Sequence, residues 1–364
     1  MSGSNLGKLI KKVDAGWSRL KFKAKWRLGR FDLLDVLVYF GFGTARQVYV
    51  RGRVLECKGM AGAAEDDSLW RNFKQMARRF SSDEIPGAVV QVNFLGAAVQ
   101  AKTDHEGFFE VTLKPQRPPA PDKLWHPVEV RLLEPQHPRQ PQPVIGTGEI
   151  LAPPAQAEFG VISDIDDTVV ETAATSLIKM LRIVLFSNAH TRLPFEGVSE
   201  FYRALQAGQA GTQNPIFYVS SSPWNLYDLL VDFFRIHHIP HGPLLLQDYG
   251  LEPGQWLHAD HQKHKLRQIE RVLTILPDLP FILIGDSGQQ DPEIYREVVH
   301  RYPDRILAIY IRDVSLDRRQ AEIETIAAGL GPAGVEMLLV KDTQLAMQHA
   351  AAQGFISAEG VSSP

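Results

Sequence analysis

The chain has 364 residues, 44% of them hydrophobic and 22% charged, with a formal net charge of −3. That balance excludes an intrinsically disordered chain and a polycation built for nucleic acid. At roughly 100–200 residues per domain, the length predicts two or three domains. The charge is uneven: residues 1–30 carry nine Lys/Arg (Lys8, Lys11, Lys12, Arg19, Lys21, Lys23, Lys25, Arg27, Arg30) against Asp14, so this segment is +8 and the remainder −11. The single cysteine, Cys57, excludes an intramolecular disulfide framework and fits a reducing, cytoplasmic compartment. Met1–Ile10 lacks the apolar core of a signal peptide. The apolar run Phe31–Gly43 is broken by Asp32 and Asp35 and is shorter than the roughly 20 residues a bilayer span needs.

In the basic arm, drawn over residues 1–45, Leu6, Ile10, Val13, Trp17, Leu20 and Ala24 recur at helical spacing. A basic amphipathic helix with Trp17 and Trp26 near its apolar side suits an anionic membrane surface, and equally a helix docked on its own domain. From Val48 the period changes to two, through Val90-Val92-Phe94, Phe109-Val111-Leu113 and Val128-Val130-Leu132. Thr103–Gly107 has the composition of a tight turn, with Gly107 able to take positive φ. Leu69, Trp70, Phe73, Met76, Ala77 and Phe80 predict one helix capped by Ser68. Residues 46–154 therefore read as a small β-sandwich-like domain. Its nine prolines between Pro115 and Pro143 predict edge strands and loops there.

After Pro153-Pro154 apolar runs alternate with helical stretches: Phe159–Ser163, Ile216–Ser220, Pro243–Gln247, Phe281–Gly285, Ile306–Ile311 and Val335–Val340. Such runs suit strands buried on both faces, so residues 155–355 predict an α/β domain with a doubly wound parallel sheet, followed by a tail over 356–364. The rim beyond the strands collects chemistry. Ser163-Asp164-Ile165-Asp166-Asp167-Thr168 ends the first strand, and Ser220-Ser221-Ser222 ends the second. A helix opens at Lys263-His264-Lys265, and Gly285-Asp286 through Asp291 ends the fourth strand. Carboxylates so gathered need a cation to stay ionised, and oxygen-only ligands point to Mg²⁺. A hydroxyl and a lysine beside them describe metal-assisted phosphoryl transfer.

These residues resemble the haloacid dehalogenase (HAD) superfamily of phosphatases, whose pattern is Asp-x-Asp-x-Thr, Ser/Thr, Lys and late acidic residues in that order. More narrowly, Asp164–Glu171, Tyr218–Trp224, His264-Lys265 and Gly285–Tyr295 resemble the actin-patch-associated phosphatidate phosphatase family, relatives of the lipin catalytic domain. The resemblance covers about residues 155–355. The β-rich region, with Arg78-Arg79-Phe80, also resembles N-terminal regions of bacterial members. The resemblance implies a HAD-like fold and a phosphatidate substrate. It implies Asp164 as nucleophile, Asp166 as general acid and base, Thr168 bracing the loop, and Ser220 and Lys265 on the phosphoryl group. Mg²⁺ would be held by Asp164, the Asp166 carbonyl and Asp286, with Asp291 joining directly or through water.

Lys263 competes with Lys265, which is preferred because it stands directly before the Leu266, Ile269, Leu273 stripe. Six of twelve histidines fall in residues 237–264 (His237, His238, His241, His258, His261, His264), but without cysteine partners or a His-Glu-x-x-His pattern they read as loop or pocket residues rather than a zinc site. Leu177, Ile178, Leu181, Val184, Leu185 and Phe186 suit a small apolar cap, and equally an ordinary packed helix. Two alternatives stay open: a HAD phosphatase for a soluble phosphomonoester or phosphoprotein, and a non-catalytic membrane-recruited scaffold.

Overall fold

The computed structural model describes residues 32–57, 84–165, 168, 196–247, 261–314 and 317–358. The chain divides into two compact units, residues 1–119 with 125–152, and residues 120–124 with 153–364. The first unit is β. Its strands are β1 (Leu33–Val38), β2 (Gly41–Gly43), β3 (Val48–Cys57), β4 (Val89–Phe94), β5 (Ala97–Lys102), β6 (Phe108–Leu113), β7 (Trp125–Glu134) and β8 (Val144–Leu151). They form one connected sheet in the order β1-β3-β2-β8-β7-β4-β5, with β6 on the other edge of β3. Alternation builds its core: Val90, Val92 and Phe94 of β4 point inward with Val128, Val130 and Leu132 of β7, and Val50, Val54, Phe109 and Val111 join them. Each such side chain contributes about 1.5–3 kcal/mol on burial. Glycines set the close approach of β1 to β8, because a side chain at Gly146 would collide with the Val36 carbonyl.

Two expectations change here. The described end of the arm drawn over 1–45 is strand, not helix: Leu34 and Val36 alternate inward with Asp35 between them, and β1 pairs antiparallel with β3. Residues 1–31 and the helix expected over 68–80 lie outside the described residues. The proline-rich stretch does contain an internal strand, since β7 pairs with both β4 and β8. Pro127 is tolerated because β4 pairs only with Glu129 through Glu134, so no bond to β4 is lost at the proline. The turn at Thr103–Gly107 forms as read. Asp104 Oδ1 accepts from the Glu106 and Phe108 amides at 2.9 Å each, and Gly107 takes a φ of 79°.

The second unit is α/β. Its strands are β9 (Gly160–Asp164), β10 (Ile216–Pro223), β11 (Leu244–Gln247), β12 (Phe281–Asp286), β13 (Ile306–Arg312) and β14 (Glu336–Val340). Its helices are α1 (Val198–Ala207), α2 (Tyr227–Ile236), α3 (His261–Ile275), α4 (Asp291–Arg301), α5 (Asp317–Leu330) and α6 (Thr343–Ala352). The sheet order is β11-β10-β9-β12-β13-β14 and every pairing is parallel. Every residue of β9, β11 and β12 is buried, so both faces of the sheet are covered. Gly160 pairs with Phe281, whose ring would collide with any side chain at that position. On α1, Val198, Phe201, Tyr202 and Leu205 are buried at helical spacing. From β9 the chain builds outward first through β10 and β11, then returns to β12 on the other side. That reversal opens a crevice at the carboxyl ends of β9 and β12, where such sheets bind ligands.

Candidate active site

The crevice gathers acids. Asp164 ends β9, Asp286 ends β12, Asp291 opens α4, and Lys265 lies near the start of α3. Oxygens of the three carboxylates lie within 4.8 Å of one another, and none of the three residues is more than 1% exposed. The Lys265 ammonium stands 2.8 Å from Asp164 Oδ1 and 2.8 Å from Asp291 Oδ1, and donates to Gln289 Oε1 at 3.1 Å. Local sequence makes this possible. A Cβ at Gly285 would sit 2.6 Å from Asp291 Oδ2, so glycine lets the first residue of α4 close on the end of β12. Asp291 Oδ2 then accepts from the Asp286 amide at 3.2 Å, and the Gln289 amide donates to Asp286 Oδ1 at 2.8 Å. Pro292 suits the first turn of α4, where the missing N–H costs nothing.

Burial alone would lower the pKa of Lys265. Asp164 and Asp291 outweigh it and hold the ammonium above its ordinary range. Burial, then Asp291, Asp164 and Asp286, push the Tyr295 hydroxyl up, so it keeps its proton and donates to the Ile284 carbonyl at 2.7 Å. Behind Asp164, Ser163 Oγ donates to the Asp164 carbonyl at 2.7 Å and meets Tyr202 Oη at 2.5 Å. Ser163 has given its proton to that carbonyl, so Tyr202 donates, and burial keeps its hydroxyl protonated.

With all four groups ionised, three carboxylates and one ammonium carry a formal charge of −2. Buried like charges this close repel strongly, and an all-oxygen donor set of that charge fits a hard divalent cation. Ser220 is buried on β10 beside β9, and its Oγ accepts from the Ser222 amide at 2.9 Å. Thr168 is also buried, but its hydroxyl meets no hydrogen-bond partner among the described residues. The same holds for Ser221 Oγ and Gln247 Oε1 on β10 and β11. Lys265 is the lysine against Asp164, whereas Lys263 is exposed. Asp166, the Leu177–Phe186 run, Arg78–Phe80 and His258 lie outside the described residues.

A protein-family comparison matches residues 159–313 to the catalytic domain of phosphatidate phosphatase APP1. Over this segment the chain is similar to the catalytic domain of the APP1 phosphatases. Phosphatidate phosphatase APP1 of Saccharomyces cerevisiae is 33% identical over 154 residues, covering 42% of this chain and 26% of the relative. An uncharacterized protein of Schizosaccharomyces pombe is 33% identical over 167 residues, covering 44% of this chain and 26% of that protein. The chain thus spans about a quarter of the length of these yeast relatives. Neither supports the likeness to bacterial members. A solved carbohydrate acetylesterase from Xanthomonas citri aligns with 85% of this chain and 68% of its own at 12% identity, but its TM-score of 0.27 carries no argument.

The APP1 match holds Asp164, Ser220, Lys265, Asp286 and Asp291 within one segment. Sequence reasoning missed Gln289, Tyr295 and Arg319. Tyr295 follows Asp291 by one helical turn, which was the available signal. Arg319 lies on α5, beyond the matched segment, and donates to the Gln289 carbonyl at 3.1 Å while pairing with Glu293 at 2.8 Å.

Proposed function

We propose that this chain is a Mg²⁺-dependent phosphatase of the HAD type, cleaving phosphatidate to diacylglycerol and phosphate. The observation that carries the reading is the Lys265 ammonium seated between Asp164 and Asp291 at 2.8 Å from each. A carboxylate nucleophile approaching an anionic ester meets repulsion, and a fixed ammonium at its side opposes it. Asp164 attacks phosphorus, the bond to the leaving alkoxide breaks, and an aspartyl-phosphate forms. Asp166 protonates that alkoxide, then takes a proton from the water that attacks the aspartyl-phosphate, releasing phosphate and restoring Asp164. Ser220 donates to a phosphoryl oxygen, and Thr168 braces the loop. Asp164, the Asp166 carbonyl and Asp286 would hold Mg²⁺, with Asp291 close by; when bound it supplies Lewis-acid stabilisation of the phosphoryl charge.

The likeness to the APP1 catalytic domain, whose yeast protein is named for phosphatidate, supports that substrate. The +8 segment over residues 1–30 would draw a cytoplasmic enzyme to an anionic membrane face that carries its substrate. Among the described residues no helix is long and apolar enough to cross a membrane.

The test is a panel of phosphatidate vesicles, other phosphomonoesters and an aryl phosphate, assayed with Mg²⁺ and after chelation. Phosphatidate turnover that EDTA abolishes and Mg²⁺ restores is expected, and Asp164→Asn should cost on the order of 10⁴-fold or more. Turnover of soluble esters alone would reject the lipid, and silence on every substrate would favour a scaffold. Near-wild-type turnover by Asp164→Asn would remove the covalent step.

A further inference from the structure

Gln289 joins the two halves of the charged group. Its side-chain Oε1 accepts from Lys265 Nζ at 3.1 Å, and its Nε2 donates to Asp286 Oδ2 at 3.2 Å. The amide orientation is forced, because an ammonium only donates and a carboxylate only accepts. A flipped amide would set NH₂ against NH₃⁺ and oxygen against oxygen. Gln289 also gives its backbone N–H to Asp286 Oδ1, so one residue supplies a donor to each oxygen of that carboxylate. At the other end it supplies the third acceptor for Lys265, whose remaining protons face Asp164 and Asp291. With the Asp286 amide on Asp291 Oδ2, the hydrogen bonds close a ring through Lys265, Gln289, Asp286 and Asp291. Arg319 holds the far side of the same loop by its carbonyls.

We propose that Gln289 is a positioning residue that couples cation binding to the aim of Lys265, an inference that rests on the phosphatase reading. Its Nε2 donates to Asp286 Oδ2, one of the two oxygens through which that carboxylate would hold a divalent cation, so the amide and the cation would compete for it. Its Oε1 holds the ammonium toward Asp164, so releasing the amide changes the setting of the lysine. Cation entry and lysine geometry are thereby linked through one side chain. A residue that merely filled space would not give opposite effects at its two ends.

The experiment uses the full chain and the variants Gln289→Met, similar in length but without the amide, and Gln289→Glu, which keeps the length and adds an acceptor. Mg²⁺ binding is measured by calorimetry without substrate, and aryl phosphate hydrolysis is measured separately at saturating Mg²⁺. Gln289→Met should bind Mg²⁺ roughly three- to tenfold more tightly, the scale of one lost hydrogen bond, yet turn over more slowly by a similar factor with KM little changed. Gln289→Glu should restore the hold on Lys265, recover turnover relative to Gln289→Met, and also bind Mg²⁺ more tightly than wild type. Binding and turnover falling together, or neither moving, overturns the coupling while leaving the phosphatase reading intact. A wild-type chain that neither binds Mg²⁺ nor hydrolyses the ester overturns both.

Discussion

The two units bury charge in opposite ways. In the β unit, Arg51 and Arg53 on β3 are 7% and 8% exposed, and their guanidinium carbons lie 4.8 and 4.4 Å from the Phe108 ring centre. Each has a carboxylate: Arg51 pairs with Glu110 at 3.2 Å, and Arg53 with Glu84 at 3.3 Å while donating to the Glu106 carbonyl at 2.8 Å. Those partners are partly exposed, so solvent shares the load. In the α/β unit, among the described residues, three carboxylates cluster with the Lys265 ammonium, and all four residues are buried. Matched charge at the edge of solvent is packing with a polar face. Unmatched charge in the interior costs stability and persists where a ligand is to restore the balance.

Removing the single cation of the unbalanced group should break the contrast most sharply. Lys265→Met removes the ammonium that Asp164 and Asp291 share, and losing one partner of a buried pair costs about 3–5 kcal/mol. A lowered thermal midpoint that Mg²⁺ partly restores is the expected outcome, together with loss of turnover. A midpoint equal to wild type would mean that the carboxylates do not share one field.

The matched side should respond more mildly and only in stability. Arg53→Met removes the cation over Phe108 and one ion pair, and about 1–2 kcal/mol is expected. Denaturant unfolding should show that loss while turnover at saturating Mg²⁺ stays at the wild-type level. A fall in turnover in the still-folded variant would show that the two kinds of buried charge communicate.

The smallest expected effect is on pH. The pKa of Lys265 is raised on folding, so its contribution is fully present below the unfolded lysine value of about 10.4 and is lost only above its folded value. The pKa of His237, which packs on Phe233 with ring centres 4.4 Å apart, is lowered by burial and then by His238. Its unfolded form therefore takes the proton first, and stability falls as pH drops below about 6.5. Melting curves from neutral to pH 5 should show a slight decline that His237→Gln flattens, and an equal decline in both proteins would assign it elsewhere.

The sheet of the α/β unit was legible because strands buried on both faces leave continuous apolar runs, as in Phe281–Asp286. The charged residues were legible because they stand where those runs stop. Less was readable in the β unit. Leu33–Val38 looked like the end of a basic arm, since a short alternation cannot announce which strand it will pair with. Pro127 argued against an internal strand, and only the length of β4 explains why it fits. Gln289 was in view inside Gly285–Tyr295, but a neutral amide gains meaning only from the distances at its two ends. Arg319 left no trace, because its contacts with the loop that carries Gln289 are to backbone carbonyls that no residue pattern marks.

The parallel pairing of β9 with β12 also bears on the order in which the molecule assembles. Asp286 and Asp291 are neighbours in the chain, whereas Asp164 is brought to them by the pairing of Gly160 with Phe281 across a long intervening segment. Contacts of such sequence separation form slowly, since loop closure must be met before pairing rewards it. On this topology Asp164 joins Asp286 and Asp291 late, when the rest of the sheet can hold the crowded acids together. A nascent or truncated chain that stops before β12 lacks the assembled charge group altogether. Assembly of the charged group is thus timed by topology, and its appearance during refolding would report closure of the central strand pair.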